Sequence, residues 1–249
     1  MKFSNKPYFI AALLLGALLA SSSSWASIII IGTRVIYPES NSEVTVRLEN
    51  KNPEPSLVQS WIDDGSTNMQ IDKMDVPFVI LPPVIRIEPN QGQTLRISYT
   101  GNSLPKDGET VYWLNVLDIP PKIDNANANT LQMAIRTRIK LFFRPDSLTK
   151  LSLIDASEGL TWRALPSKEK GYICLEAKNN SPFHISLASV AIYNNENKAE
   201  DDEGKMISPF GSEVFKIKSN AIKATGKVKY KYINDYGTVV TAKERDISI

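Results

Sequence analysis

Residues 129–140, NTLQMAIRTRIK, constrain the fold of this 249-residue chain more than any other stretch. Leu131, Met133 and Ile135 alternate with Gln132, Ala134 and Arg136, the period of a β-strand whose two faces differ. The pattern continues into LFFRP, where Pro145 lacks a backbone donor and stops it. Residues 129–143 are therefore predicted to form one long strand. A strand edge with spaced apolar side chains between basic residues is ordinarily an aggregation hazard. The economical reading is an edge meant for another chain.

The rest of the chain has the same style. Helical periodicity is almost absent, and short β-rich runs at residues 28–31, 34–37, 43–48, 57–62, 79–80, 94–99 and 111–116 precede the long one. Turn clusters separate them, and Trp61 is expected to be a core aromatic. Such a succession over roughly 120 residues predicts an immunoglobulin-like sandwich. A second series follows at residues 160–163, 172–176, 185–193, 213–217, 227–233 and 238–241. Between two of these runs, the polar and acidic residues 194–204 read as an exposed hairpin loop. The boundary is placed at residues 144–149, near the middle of the chain. The expected architecture is all-β, with two immunoglobulin-like β-sandwich domains at residues 27–146 and 147–249. One large barrel is the alternative, and Pro145 argues against it.

Lys2 and Lys6 precede an apolar run, residues 9–20, that ends in small residues and Ser-Trp-Ala. That is the form of a secretory signal peptide, cut after Ala26. A membrane anchor would need about 20 apolar residues, more than this run has. Without residues 1–26, basic and acidic side chains balance at 27 each, so nothing points to nucleic acid. Cys174 is the only cysteine, which excludes an intrachain disulfide, and its strand-like setting predicts a buried small hydrophobe. His184 is the only histidine, in a turn entering a strand, where a structural role is expected. No nucleophile motif, metal-ligand cluster or phosphate loop is present, so neither an enzyme nor a cofactor is expected. The acidic residues 200–203 read as a solvated loop tip.

Several segments resemble the PapD-type periplasmic chaperones of the chaperone–usher pilus pathway. Residues 104–121, LPKDGETVYWLNVLDIPP, resemble the family signature, departing from it at Gly108, where a charged or amide residue is usual. Residues 130–145, TLQMAIRTRIKLFFRP, resemble the last strand of the first family domain. YINDYG at 232–237 is similar to a motif of the second, and GTRVIY at 32–37 to the mature N-terminus. The resemblance spans nearly all of residues 27–249 and implies two sandwiches set at an angle around a cleft.

It also implies roles. Periodicity alone leaves Leu131, Met133 and Ile135 either in their own core or in a partner's groove; the resemblance implies the groove. There they would complete the unfinished sandwich of a pilin-like subunit, which an outer-membrane usher then receives. Arg34 and Lys140 match the two cations that hold the subunit's C-terminal carboxylate. Period-2 counting puts Lys140 on the face opposite Leu131, so either a bulge or strong twist lies between them or the pairing rests on the resemblance alone. Glu109, Arg144 and Asp235 match an interdomain charged cluster. Leu81-Pro82-Pro83 matches a turn whose first proline bond is often cis, which sequence cannot establish. The loop before the donor strand is short and resembles that of the rod-associated subclass.

The implied protein is periplasmic, is not inserted in a membrane and is monomeric with its cargo. Whether free copies cap one another is left open. The rival from a different class is a structural or adhesive surface protein built from the same kind of domain.

Overall fold

The structure is a computed structural model that describes residues 28–66, 75–101, 104–122, 131–167, 169–194, 197–218 and 226–248. The expected signal peptide lies outside these residues. In the first half the alternating runs become β1 (Ile28–Ile30), β2 (Arg34–Pro38), β3 (Val44–Asn50), β4 (Ser56–Asp63) and β5 (Phe78–Leu81). They are followed by β6 (Val84–Ile87), β7 (Gly92–Tyr99), β8 (Thr110–Ile119) and β9 (Ile135–Arg144). One layer runs β1-β3-β7-β5 and the other β2-β9-β8-β4-β6. Between them Leu48, Leu95 and Ile97 meet Val58, Leu114, Leu141 and Phe143 in a sealed core. Side chains buried this way contribute about 1.5–3 kcal/mol each.

Asp146–Leu148 forms a 3-10 turn, and α1 (Leu153–Glu158) opens on Ser152, whose hydroxyl accepts the Asp155 N–H. Then come β10 (Thr161–Leu165), β11 (Tyr172–Lys178), β12 (Ile185–Asn194), β13 (Asn197–Asp201) and β14 (Lys205–Ile207). The last strands are β15 (Ser212–Lys218), β16 (Lys227–Ile233), β17 (Val239–Thr241) and β18 (Arg245–Ser248). Strand β18 pairs antiparallel with β16 and parallel with β10, linking the two layers. Trp162, Leu175, Ile192, Phe215 and Tyr230 fill this second core, separate from the first. The chain is thus two immunoglobulin-like sandwiches, as expected from the two series of short runs.

Four sequence expectations change. The long strand starts at Ile135, because β8 offers its last partner, Asp118, there; Leu131–Ala134 lie outside any strand and residues 129–130 outside those described. Trp61 is on the outward face of β4, only half-buried, while Val58 and Ile62 take the core. Cys174 is likewise half-buried on the outer face of β11 rather than sealed inside. The polar run after β12 carries β13 on that strand's edge, with Ala199 turned inward and Lys198 and Glu200 outward. Pro145 ends the long strand as predicted, and the Leu81-Pro82 bond is cis.

Tyr37 shows how polar atoms are carried into the first core. Its ring is fully buried, and its hydroxyl accepts the Tyr99 N–H at 2.9 Å. The same hydroxyl faces the carbonyls of Asn41 and Ser42 at 3.0 and 3.1 Å as donor. Tyr37→Phe would remove the hydroxyl that serves the Tyr99 N–H and the two carbonyls, and should lower stability by about 1–3 kcal/mol in urea unfolding.

Candidate partner-binding site

The path of the N-terminal strand creates the site. Strand β1 pairs with β3 in one layer, and the chain then crosses at Gly32, φ +117°, to enter the other layer as β2. A left-handed backbone of this kind is open to glycine and strained for other residues. Strand β2 runs parallel to β9, but their register covers only Arg34↔Lys140 through Pro38↔Arg144. Upstream of Lys140, residues 135–139 pair with β8 on one side. Among the described residues no strand pairs with their other side. Half of β9 therefore presents an open edge.

Along and just before that edge stand Leu131, Met133 and Ile135, exposed by 86%, 66% and 49%. Gln132 steadies the approach by donating from Nε2 to the Pro121 carbonyl at 2.6 Å. The β8–β9 ladder runs from Ile135 to Phe143 without a shift. A bulge of the kind considered from period-2 counting is therefore absent from this ladder. Odd residues keep one face, which becomes core at Leu141 and Phe143. Even residues, Lys140 among them, keep the other.

Arg34 and Lys140 meet as direct partners at the point where the open edge begins. Arg34 Nη1 donates to the Ile233 carbonyl at 3.1 Å, and its guanidinium lies 5.5 Å from the Phe142 ring centroid. Lys140 Nζ lies 3.5 Å from Ser186 Oγ. Both contacts are to the second sandwich, a placement that the sequence could not show. Burial pushes the Lys140 amine below the usual lysine range, and the neighbouring Arg34 charge adds to this. Burial also lowers the Arg34 guanidinium, against the opposing pull of Asp235 and Glu109. Among the described residues neither cation has a carboxylate in ion-pair contact, and Arg34 Nε is buried without a hydrogen-bond acceptor. Two desolvated cations without counter-ions make a site for an anion.

Arg144, two positions beyond Phe142, is the opposite case. Its Nε donates to Glu109 Oε1 at 2.7 Å, and its Nη1 and Nη2 donate to both oxygens of Asp235 at 2.7 and 2.8 Å. Burial works against its charge, but the two carboxylates outweigh burial and hold its pKa above the ordinary arginine value. Glu109 is almost sealed and also accepts the His184 N–H at 2.8 Å, while Phe183 lies against the guanidinium. The three predicted residues are therefore joined across the two sandwiches. His184 has the structural place expected of it, beside Phe142. Gly108 fits the same joint, since a Cβ there would lie 3.1 Å from Pro209 and 3.3 Å from the Pro182 carbonyl.

Fold and site together describe a two-sandwich protein with an open strand edge that ends at two cations without an ion pair among the described residues. Residues 27–149 match the family described as "Pili and flagellar-assembly chaperone, PapD N-terminal domain", and residues 155–244 match "Pili assembly chaperone PapD, C-terminal domain". The chain belongs to this family of pilus-assembly chaperones, which are not enzymes. It is 42% identical to the probable fimbrial chaperone YadV of Escherichia coli over 98% of this chain and 99% of that one. To the chaperone protein HifB of Haemophilus influenzae it is 39% identical, over 94% of each. The crystal structure of the YadV chaperone superposes with a TM-score of 0.73 at 40% identity, covering 89% of this chain and 100% of that one. The SafB chaperone of Salmonella enterica, solved with the SafA pilin, gives 0.72 at 26% identity over 90% and 98%.

Arg144→Met would strand the buried Glu109 carboxylate while leaving the more exposed Asp235 to solvent. Stability should fall by about 3 kcal/mol, and calorimetry should show the two sandwiches unfolding in separate transitions.

Proposed function

We propose that this protein is a periplasmic chaperone that lends the open edge of β9 to pilin-like subunits and hands the capped subunit to an outer-membrane usher. The observation that carries this reading is the unpaired stretch 135–139 ending at two cations without counter-ions. Strand addition of this type, of which chaperone–pilin pairs are a recognised instance, draws affinity from backbone bonds and specificity from alternate side chains. Leu131, Met133 and Ile135 would fill successive pockets of the subunit's groove, each contributing about 1.5–3 kcal/mol when covered. Met133 suits several cargoes because its side chain adapts its shape. The SafB chaperone was solved holding a pilin, and SfaE, 28% identical to this chain, is a periplasmic chaperone; both support the assignment. The predicted signal peptide at residues 1–26 is the export route.

Charge decides the direction of the visiting strand. A strand laid beside residues 135–139 must end where β2 begins, at Arg34. Running parallel to β9 it brings its C-terminal carboxylate to Arg34 and Lys140; running antiparallel it brings an ammonium to two cations. The parallel arrangement with an anchored carboxylate is the one this pocket favours. The anchor fixes a register that alternation alone leaves free to slip by two. Glu109, Arg144 and Asp235 hold the two sandwiches so that the pocket keeps its shape. We place the boundary between these domains at Asp146, giving units at residues 27–146 and 147–249.

Arg34→Ala and Lys140→Ala should each abolish co-purification of a co-expressed subunit while circular dichroism of the free chaperone stays unchanged. Undiminished complex from both variants would reject the anchor. Capture should also depend on pH. Burial favours the neutral amine of Lys140, so its charge is lost earlier on raising pH than that of an ordinary lysine. Affinity measured by titration should therefore fall as pH rises toward the ordinary lysine range, and Lys140→Arg should flatten the fall.

A further inference from the structure

The face of β2-β9-β8-β4 that carries Arg34 and Lys140 also holds an ionic cluster, built around a buried carboxylate and outside the anchor. Asp63, at the end of β4, has a fully buried side chain. Its Oδ1 accepts the Gly65 N–H at 2.8 Å and its Oδ2 accepts Asn115 Nδ2 at 2.6 Å. Its remaining partner is Arg138 Nη2, from β9. The Arg138 guanidinium then lies over the Trp113 ring, 4.7 Å from its centroid. Beside Trp113 the backbone of Gly65 approaches so closely that a Cβ would sit 2.5 Å from the ring. In the ladders Trp113 stands opposite both Asp63 and Lys140, and Arg138 stands opposite Asn115. The cluster therefore spans three strands. It grips β9 two residues from the anchor Lys140 and three from Ile135.

The position of this grip matters, because residues 135–139 are supported from one side only. A strand paired on one side frays or slides by two more readily than one held on both sides. Sliding would pull Arg138 away from a carboxylate that has no access to water, which costs far more than parting an exposed pair. We propose that Asp63 and Arg138 are positioning residues for subunit capture, holding the stretch between Lys140 and Ile135 straight and in register before a partner arrives. This role rests on the strand-donation reading above.

The test is the double variant Asp63→Asn/Arg138→Gln, which leaves no lone buried charge and so avoids the misfolding that either single change risks. Amide exchange of the free chaperone and titration with a purified subunit are measured together. Exchange at residues 135–139 should accelerate, and subunit affinity should fall, each by about tenfold or more, while β7 and β16 amides stay protected. Arg138→Lys, which keeps the charge beside Asp63, should restore most of the affinity. Undiminished affinity in the folded double variant would overturn the proposal. So would lost affinity with unchanged exchange at 135–139, which would make the pair a direct contact instead. Failure here with Arg34→Ala and Lys140→Ala still deficient would remove only the positioning role; full capture by those two would remove the carboxylate anchor instead.

Discussion

The early departure of β2 from its sheet governs the site. Had β2 continued alongside β9 to Ile135, the first sandwich would close and its apolar row would have a neighbour. Because the chain crosses to the other layer at Gly32, the parallel pairing stops at Arg34↔Lys140. The backbone N–H and C=O groups upstream face outward on that side, and natural proteins normally blunt such an edge. Here it ends at two partly buried cations instead, which gives the open stretch a defined length.

Arg34, Lys140 and Arg144 occupy neighbouring positions and meet different fates. Arg144 takes both available carboxylates, and its fork matches the two oxygens of Asp235. That saturation leaves Arg34 and Lys140 with only carbonyl and hydroxyl contacts, from Ile233 and Ser186. Joint and pocket are thus coupled through ownership of Glu109 and Asp235. A second sandwich moved away from the first would take with it Asp235, Ile233 and Ser186, changing both at once. An ionic joint of this kind contributes more to orientation than to net stability, because desolvation offsets much of the attraction.

Strand periodicity made the two sandwiches legible, since each inward face is written in the sequence at every second residue: Val44, Val46 and Leu48, or Leu95 and Ile97. Arg34, Lys140, Glu109, Arg144 and Asp235 were legible only through resemblance, as they are far apart in the chain and no spacing connects them. Trp61 and Cys174 misled because aromatic and thiol side chains also cover outward sheet faces, which composition cannot distinguish from core. The edge strand at 197–201 was hidden by its charges, which suit a solvated edge as well as a loop. Nothing local announced Asp63, whose partners come from β8, β9 and the turn at Gly65. Its burial is a product of three strands assembling.

The parity of β9 explains why knobs and anchor must lie on opposite faces. Within β9 the odd positions run from Ile135 to Leu141 and Phe143, so the exposed Ile135 and the chaperone's own core share one continuous face. A groove laid over the row would prolong the first core into the partner without any change of register. A cation on that face would be buried in both cores at a high desolvation cost. The even face is free of that demand at Lys140, because there β9 looks toward the second sandwich, whose Ser186 and Ile233 supply polar contacts. The proposed apolar capture and carboxylate anchoring are thus separated onto the two sides of one strand, and each side keeps the dielectric surroundings that its chemistry needs.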